Sequence, residues 1–500
     1  MRCDQAEHEV AFNLDGAAHA GLSRDWGYGA GSDTTVFVFL TGGSCMGWIL
    51  RLVETGPDIT ADGVDLIEID RPTGLAEIAN LGLTLSEAKQ VLARMQRALV
   101  AAQAHDHAVQ RPGCSSCNGI CHIKDWRPHQ IATLFGGVTV RLPRWLCTGC
   151  RRIETGMRWP SHCRSSPELD QLQAHLSALM SYRVAAGVLG HLLPVEASTS
   201  PETFRHHTLK IGEQLRDAAL AKPAAAEPAI SISLDSTFIR SRHDGERHLE
   251  VRVGNVETPC GGRQVFGAVA KSDTDITTLI SRNLEAVGRT DDSDLTAFTD
   301  GCSGLRSILA AAGVTKPPVL DWFHIAMRLQ HAKLAASSLS TGEPGRMQTK
   351  AFIIEQVERL RWRIWNGNAK NAQITIERIR KVMHVFRGES SHRTTGAPAR
   401  KLWHALHEVD KYLIGQSGWL VNYAKRRRAS LRVGTSITEG TANFLVNRRM
   451  NKSQQMRWSR RGADLLLQVR CAVYNGMFGA GLGRVFNPIS PPCPQLAKAA

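Results

Sequence analysis

Residues 229–240, AISISLDSTFIR, decide the fold of this chain. Isoleucine and leucine side chains alternate there with small polar ones up to Asp235, and this period of two is typical of a strand with one buried face. A second stretch, LTAFTDG at 295–301, is also apolar and β-prone and ends at Asp300. The two stretches therefore predict two strands that each carry an aspartate at the carboxyl end.

Further elements are predicted around these two strands. HLEVRVGNVE at 248–257 and RQVFGAVA at 263–270 have the character of two more strands in a meander, followed by a helix from Asp275 to Val287. A second helix follows Asp300, and PPVLDWFHIAMRL combines a fifth strand with a third helix. The order strand-strand-strand-helix-strand-helix-strand is the one expected for an RNase H-like α/β core.

Glu439 is the third acidic residue at the head of a recognisable pattern. It opens EGTANFLVNRRM, whose apolar and basic residues have the spacing of an amphipathic helix. Carboxylates are the ligands that Mg²⁺ prefers, and enzymes that act on phosphodiesters commonly hold two cations about 4 Å apart. The acids predict a two-metal site for nucleic acid, in which Asp235 bridges two Mg²⁺ or Mn²⁺ ions and Asp300 and Glu439 flank them.

Two alternatives for these acids remain open. An aspartate before glycine, as at Asp300, is most often only a turn residue. Asp321 in LDWFH also ends an apolar strand and is the main rival as a metal ligand. Together with His324, three residues later, it has the alternative role of shaping the site or contacting the scissile phosphate.

Two cysteine pairs predict a metal site of a different kind. Cys114 and Cys117 lie in RPGCSSCNG, and Cys147 and Cys150 lie in RWLCTGCRR. Two C-x-x-C turns at hairpin ends supply the four soft ligands of tetrahedral Zn²⁺, so a structural zinc ribbon is favoured over free or redox-active cysteines. Other ligand sets remain open, because four more candidate side chains are close in sequence: Cys121, His122, His162 and Cys163.

Helical spacing predicts the elements on both sides of this module. Residues from Thr84 to about Gln110 form one amphipathic helix with Ser86 as its start signal. The region from Pro167 to Ala218 is also helical, and a second helix begins there near Ser200. Its predicted apolar stripe consists of Leu172, Leu176, Leu179, Val184, Val188 and Leu192. The outward residues of the second helix are expected to be Thr203, Arg205, His206, His207 and Lys210. The pair is either a helix-turn-helix or a helical hairpin packed on its neighbours.

A linker and an insertion complete the predicted organisation. AKPAAAEPA at 221–229 has the composition of a linker, and residues from about 325 to 425 are rich in helix formers. We expect that insertion to be a helical bundle. The predicted boundaries are 1–83 unassigned, 84–165 helix plus zinc-ribbon-like module, 166–220 helical region, 230–324 first part of the core, 325–430 insertion, 431–480 last part of the core and 481–500 tail.

Composition favours a polyanionic partner. Lysine and arginine number 61 against 46 acidic residues, and the resulting charge of +15 and pI near 9.5 favour nucleic acid. The longest apolar stretch, VFVFLTGGSCMGWIL at 36–50, is interrupted by glycines and is too short for a bilayer, so no membrane role is expected. The first residues are charged and do not predict secretion, so we expect a cytoplasmic protein.

From about Thr84 to Gly476 the chain resembles a bacterial insertion-sequence transposase of the ISKra type, related to ISL-type and Mutator-like transposases. The resemblance lies in the cysteine pairs, in LMSYRVAAGVLGHLLPV, SLDSTFIR, TDGCSGL, LDWFHIAMRLQH and LRWRIWNG, and most specifically in ITEGTANFLVNRRMNKSQQMRWSRRGADLLLQVRCAVYNG. It implies an RNase H-like catalytic domain, a DDE triad of Asp235, Asp300 and Glu439, and DNA cleavage followed by strand transfer. It also implies that Asp321 and His324 form a D-x-x-H element beside the active site.

The partner implied is DNA, both the terminal inverted repeats of the element and the target, bound by a homo-oligomer that is at least a dimer. Basic residues would neutralise phosphates. The candidates are Arg205, Lys210, Arg426, Arg427, Arg428, Arg448, Arg449, Lys452 and Arg457. Trp362, Trp365 and Trp458 either stack on unpaired bases or pack within the fold, and packing is favoured. The same acids would serve a nuclease without strand transfer, whereas a non-catalytic regulator would need only the zinc ribbon and the helix pair.

Overall fold

The computed structural model describes residues 9–12, 35–41, 45–53, 63–72, 78, 81–155, 164–195, 200–218, 225–243, 245, 247–269, 271–386, 397–434, 440–451 and 456–477. The chain divides into two compact units, Met1–Thr208 and Leu209–Ala500. Each is a mixture of helices and sheets, so the chain is a multidomain α/β protein. In the described part of the chain, no helix has both the length and the apolar character required to cross a bilayer.

The first unit begins with an antiparallel sheet in the region that the sequence left unassigned. Its strands are β1 (Glu9–Phe12), β2 (Thr35–Thr41), β3 (Cys45–Val53) and β4 (Val64–Pro72), in the order β1-β2-β3-β4. The apolar run at 36–50 thus contributes to β2 and β3. Helix α1 (Leu85–Val109) follows this sheet.

The start of α1 differs from the prediction. Thr84, rather than Ser86, caps the helix, and its side chain accepts the Glu87 N–H while the Glu87 carboxylate accepts the Thr84 N–H. The same carboxylate pairs with Arg71 of β4 at 2.5 Å. Ser86 was a wrong start signal because the capping box requires a threonine or serine three residues before the glutamate.

A three-stranded sheet carries the cysteines. It consists of β5 (Cys121–Thr133), β6 (Gly136–Cys147) and β7 (Ile153–Glu154), all antiparallel in the order β5-β6-β7. On β6, Val138, Val140 and Leu142 alternate toward α1 and pack against Val100 and Ala104. The predicted hairpin between the cysteine pairs is therefore present, and α1 covers one face of it.

Three helices follow: α2 (Pro167–Leu179), α3 (Tyr182–Leu192) and α4 (Pro201–Asp217). Ser200 accepts the Thr203 N–H at 3.1 Å, as its predicted capping role requires. The predicted apolar stripe was wrong, because Leu179, Val184 and Leu192 are 49%, 51% and 56% exposed. Small side chains occupy much of the buried faces instead, and they allow helices to approach closely. The buried residues of α2 and α3 are Leu169, Asp170, Gln173, Ala174, Ser177, Ala178, Ala185, Ala186 and Leu189.

The second unit contains a five-stranded mixed sheet whose elements follow the predicted order along the chain. The strands are β8 (Ala229–Arg240), β9 (His248–Glu257), β10 (Arg263–Ala268), β11 (Asp294–Thr299) and β12 (Val319–Leu320), arranged as β10-β9-β8-β11-β12. Strands β8, β9 and β10 pair antiparallel, whereas β8, β11 and β12 pair parallel. The helices between them are α5 (Asp273–Ala286) and α6 (Ser303–Ala311).

Both faces of this sheet are covered. Ile230, Ile232 and Leu234 of β8 lie in a core with α5 and α6. Ile239 and Val251 lie in a second core. A π-helix (Asn443–Asn451) and the last helix described, α12 (Arg460–Tyr474), contribute to the same core. The C-terminal part of the chain therefore packs on the sheet that carries Asp235.

The segment between β12 and the π-helix is helical, as its spacing predicts. It consists of α7 (Trp322–Ser337), α8 (Arg346–Trp365), α9 (Ala369–Val382), α10 (Pro398–Gln416) and α11 (Tyr423–Arg428), with short 3₁₀ turns at Met383–Phe386 and Ser417–Trp419. These helices share one apolar core, which includes Leu360, Ile376, Leu402 and Leu406. The numbering of α12 continues from this bundle.

Candidate metal centres

Asp235 and Asp300 lie side by side in neighbouring parallel strands. The parallel pairing of β8 and β11 aligns Ser233 with Phe298. Two residues further along the same register, Asp235 stands opposite Asp300, which directly follows β11. Because neighbouring strands are about 4.8 Å apart, the two aspartates emerge close together at this edge of the sheet.

Asp321 extends the row by one strand. Strand β12 pairs with β11 so that Leu320 aligns with Thr299, and the next residue in each strand places Asp321 beside Asp300. The Asp321 N–H also donates to the Thr299 carbonyl at 2.9 Å. Three aspartates thus stand level across three adjacent strands: Asp235 within β8, Asp300 directly after β11 and Asp321, which the sequence identified as a rival ligand, directly after β12. The prediction that Asp235 ends its strand was wrong, because β8 continues to Arg240 in its pairing with β9.

The Asp321 carboxylate already has a structural role. The residue is 2% exposed, and its Oδ1 accepts the Phe323 N–H at 2.8 Å as the N-cap of α7. Gly434 packs against it so tightly that an added Cβ would lie 2.5 Å from Oδ1. His324 lies in the first turn of the helix that Asp321 caps. Helix capping therefore accounts for one oxygen of Asp321.

The surroundings of Asp235 disfavour the charged form of its carboxyl group. Burial raises the pKa of its carboxyl, and the nearby charges of Asp300 and Asp321 raise it further, while His324 and the Ser236 N–H act in the opposite direction. The Ser236 N–H donates to Asp235 Oδ1 at 2.8 Å. A bound cation would relieve the repulsion among these carboxylates.

The turn after Asp300 is fixed by the helical insertion. Tyr412 of α10 donates its hydroxyl to the Asp300 carbonyl at 3.0 Å, and Gln416 Nε2 donates to the Gly301 carbonyl at 2.9 Å. Arg306 donates to the same Gly301 carbonyl at 2.6 Å and to Gln416 Oε1 at 2.8 Å. Gly301 itself has φ +96°, which favours glycine. The sequence contains no local signal for the contacts of Tyr412 and Gln416, because their partners are more than 100 positions away.

Glu439 lies outside the described residues, so its position relative to the aspartates stays a prediction. The π-helix that follows it is described. Its Leu445 and Val446 are buried, and the guanidinium of Arg470, 2% exposed, donates to the carbonyls of Phe444 and Leu445. The chain beyond Glu439 is therefore anchored to α12 and to the sheet.

The second candidate centre is formed by Cys114, Cys117, Cys147 and Cys150, whose four Sγ atoms all lie within 4.8 Å of one another. The Sγ atoms of Cys114 and Cys150 are 3.4 Å apart, as are those of Cys117 and Cys147. A tetrahedral ion with Zn–S bonds of about 2.3 Å separates its sulfur ligands by about 3.8 Å. Among the described histidine, cysteine and acidic side chains, this is the one group of three or more that converges so closely.

The two cysteine turns have matching backbone geometry. The Asn118 N–H donates to the Cys114 carbonyl at 2.9 Å, and the Arg151 N–H donates to the Cys147 carbonyl at 3.2 Å. Asn118 and Arg151, which directly follow the second cysteine of each pair, both have positive φ, 52° and 62°. A Cβ on Gly119 would lie 3.2 Å from Cys117 Sγ and from Cys147 Sγ. Two equivalent turns thus present four sulfurs to one point, as a zinc ribbon requires.

The alternative ligands can now be placed. Cys121 is buried beside the cluster, but its Sγ is not one of the four converging atoms, and it lies 3.8 Å from the Gly119 carbonyl. His122 is exposed on β5. His162 and Cys163 lie outside the described residues. The cysteine set is complete without any of them and is compatible with structural zinc.

The predicted DNA-binding residues differ in exposure. Arg427, Arg428, Arg448 and Arg457 are exposed. Arg205 is exposed and paired with Glu202, Lys210 is partly buried, and Lys452 lies outside the described residues. His207 was expected to face outward but is partly buried and bonded to Gln173 of α2.

Two of these predicted phosphate contacts are engaged within the protein. Arg426 is partly buried, and its Nε donates to the Arg432 carbonyl at 2.9 Å. Arg449 is 5% exposed, and its guanidinium lies over the Trp458 ring, 5.6 Å from the centroid. The prediction that Arg449 is a surface contact is corrected by this burial. The segment was predicted as an amphipathic α-helix, but it is a π-helix, whose period differs. Arg449 therefore faces the interior of the protein.

The tryptophans mostly pack. Trp365 contacts Trp322 edge to face at 4.6 Å and stacks on Tyr423 at 5.8 Å. Trp458 is 7% exposed and donates to the Met450 carbonyl at 3.0 Å. Trp362 is 58% exposed. Packing is thus the role of Trp365 and Trp458, as the sequence favoured.

Comparison with known proteins assigns no family: no protein-family model matches this chain, and no curated protein matches it significantly. The residues and the geometry described above are therefore the basis on which a function is argued.

Proposed function

We propose that this protein is a DDE transposase of a bacterial insertion sequence, with an RNase H-like catalytic core. The observation that carries the proposal is the alignment of Asp235, within β8, with Asp300, which directly follows the neighbouring parallel strand β11. Two carboxylates placed in this way are the usual basis of a two-cation site for phosphoryl transfer. The motif resemblance supplies the choice of transposase among such enzymes.

The sheet supports the RNase H-like assignment of the core. When its strands are counted along the chain, they lie in the order 3-2-1-4-5. The second strand, β9, is antiparallel to β8, β11 and β12, which run parallel to one another. The helical insertion after the fifth strand and the return of α12 onto the sheet fit a core that is interrupted before its last helix. The element order predicted from sequence points to the same fold.

Asp235 and Asp300 would hold divalent cations, Mg²⁺ or Mn²⁺, together with Glu439. The donor set fits, because hard cations prefer carboxylate oxygens and the carboxylates repel one another in the metal-free site. When bound, the cations activate the attacking oxygen and stabilise the leaving one. Asp235 and Asp300 would both contribute carboxylate oxygens to the cations, and Tyr412 and Gln416 would keep the Asp300 turn in place. Asp321 and His324 would shape the site.

The cysteine cluster would hold one structural Zn²⁺, which ties the two ends of the β5–β6 hairpin together. DNA would be the partner, in agreement with the net charge of +15. Strand transfer requires two element ends in one complex, so a homodimer or a larger assembly is part of the proposal.

A joining assay tests the proposal. Purified protein, Mg²⁺, a labelled element end and a target plasmid should give joined products, and Asp235→Ala, Asp300→Ala and Glu439→Ala should each abolish them. Asp291→Ala, at an exposed turn between α5 and β11, is the matched control and should retain activity. Cleavage without joining would indicate a nuclease. Full biological activity in Asp235→Ala would contradict any catalytic role and favour a DNA-binding regulator.

A further inference from the structure

A groove of about 610 Å³ lies between α1 and the β5–β6 hairpin, away from both candidate metal centres. One wall is the face of α1 that carries Arg97 and His105, and the other is formed by residues of the hairpin. The groove belongs entirely to the first unit. None of its residues was assigned a role by the sequence.

The ionisable side chains that line the groove are two arginines and one histidine, and all three are available to a ligand. Arg97, His105 and Arg141 line it, and no acidic side chain does. All three are exposed, and within the described residues none of them has a hydrogen bond or an ion pair to another protein group. The two unpaired arginines, Arg97 and Arg141, concentrate positive potential on this concave surface and favour an anionic ligand.

The groove also offers a flat apolar surface. Trp126 lines it and is 41% exposed. Three of the α1 residues that line the groove are alanines, Ala101, Ala104 and Ala108, and a Cβ added to Gly137 would meet no atom within 4 Å. An exposed indole beside small residues leaves room for a planar ring to stack.

The surrounding surface has the same sign of charge. Residues 111–155 contain seven arginines and lysines and two acids. Both acids are engaged: Asp125 pairs with Arg144, and Glu154 accepts from the Ser115 N–H at 3.0 Å and the Ser115 hydroxyl at 2.7 Å. The whole module therefore presents a positive field toward solvent.

We propose that this groove binds a nucleic-acid strand, with one unpaired base stacked on Trp126 and the flanking phosphates neutralised by Arg97 and Arg141. Charge complementarity and a free aromatic face together select this ligand, because base stacking on an aromatic side chain is tolerant of sequence while cations track the backbone. An acidic peptide would use the cations but would leave the indole and the small-residue slot unused. The groove would thus bind an unpaired strand outside the proposed catalytic core.

Binding of a labelled thymidine oligonucleotide to the zinc-loaded full-length protein tests the proposal, with fluorescence anisotropy as the readout. Trp126→Ala and Arg141→Ala should each weaken binding about tenfold or more. Arg141→Ala should also lower the slope of log K against log salt by about 0.7, since one phosphate contact is lost. Ala101→Leu, which fills the groove without changing its charge, should weaken binding as well.

Controls separate the possible outcomes. Arg183→Ala, at an exposed arginine of α3 outside the groove, should bind like the unchanged protein. Equal loss in Arg183→Ala and Arg141→Ala, or unchanged binding in Trp126→Ala with an intact zinc content, would overturn the proposal. So would equally tight binding of polyglutamate that also requires Trp126, which would assign the groove to an acidic peptide. Asp235→Ala should bind normally, so failure of the catalytic proposal would leave this result unaffected.

Discussion

At the residue scale, the raised pKa of Asp235 makes the stability of the folded protein depend on pH. Its pKa is raised in the folded protein, mainly by burial, so the folded state holds the proton more tightly than the unfolded state does. The stability that protonation contributes is present below the unfolded pKa near 3.8 and is lost as the pH rises through the higher folded value. Without metal, the carboxylate at neutral pH therefore opposes folding.

Asp235→Asn should consequently raise the melting temperature in EDTA at pH 7, by about 2–4 °C if the relief is about 1 kcal/mol. The gain should shrink as the pH is lowered through the folded pKa of Asp235. Mg²⁺ should stabilise the unchanged protein but not the variant. Differential scanning calorimetry between pH 4 and 8 measures this. An equal gain in Asp291→Asn, or a gain independent of pH, would contradict it.

Cysteine substitutions test the second centre. Cys117→Ser and Cys150→Ser should each remove the zinc and loosen the β5–β6 hairpin, because a tetrahedral site with three sulfurs no longer holds the turns together. Cys121→Ser should keep one zinc per chain, since its Sγ is not one of the four converging atoms. Elemental analysis of the purified variants decides. Loss of zinc in Cys121→Ser alone would mean that the ligand set is different.

Single residues also show where sequence reasoning stops. The cysteine spacing predicted both turns, because a C-x-x-C pair is a local signal. The Tyr412 and Gln416 contacts to the turn after Asp300 were not predictable, since they join side chains and backbone groups that only the folded insertion brings together. Thr84 and Ser86 can both cap a helix, but only Thr84 stands three residues before Glu87, whose carboxylate completes the capping box.

At the scale of elements, α12 protects the β10 edge of the five-stranded sheet. Strand β10 is an edge strand, and its outward backbone groups are bound by side chains of α12 and of the residue after it. Asn475 accepts the Val265 N–H at 2.8 Å and donates to the Val265 carbonyl at 2.9 Å. Gln468 donates to the Gly267 carbonyl at 2.9 Å. These contacts replace a neighbouring strand and prevent edge-to-edge pairing.

Asn475→Leu should therefore destabilise the second unit by about 1–3 kcal/mol, because it leaves the N–H and the carbonyl of Val265 without partners. The protein should also aggregate more readily, since the edge of β10 is freed. Urea unfolding followed by circular dichroism measures the first effect, and light scattering the second. Asn366→Ala, an exposed asparagine at the end of α8, serves as the control. Identical unfolding curves for the two variants would refute the role of Asn475.

The elements that were predicted well and badly differ in kind. Strands β8 to β12 were predicted because alternating apolar residues are a strong local signal, although β8 continues beyond Asp235 to Arg240 and does not end there. The apolar stripe of α2 and α3 was wrong, since alanine packing is invisible to a pattern based on large residues and Leu179 and Val184 stay exposed. The N-terminal sheet was missed because its acidic and glycine-rich surroundings hide the alternation.

At the scale of the whole molecule, charge and element order could be predicted from the sequence, whereas the contacts between the helical insertion and the row of aspartates could not. The bundle of α7 to α11 lies between β12 and Glu439 along the chain, and α10 bonds the turn that carries Asp300. A helical bundle of about 100 residues therefore helps to hold Asp300, the proposed metal ligand. We therefore expect changes in the packing of this bundle to alter the affinity for cations at the proposed metal site.

Tyr412→Phe combined with Gln416→Leu should weaken cation binding at Asp235 and Asp300 by up to about thirtyfold. The Asp300 and Gly301 carbonyls lose two donors and the turn gains freedom, at about 1 kcal/mol for each lost hydrogen bond. Calorimetric titration with Mn²⁺ measures the affinity directly and needs no DNA. Tyr474→Phe, which removes a hydroxyl from the second unit away from the turn, should leave it unchanged. Strand-transfer activity in the double variant should recover at high Mg²⁺, since added cation compensates for a loosened ligand. Unchanged Mn²⁺ affinity with a lowered melting temperature would instead limit Tyr412 and Gln416 to a purely structural role.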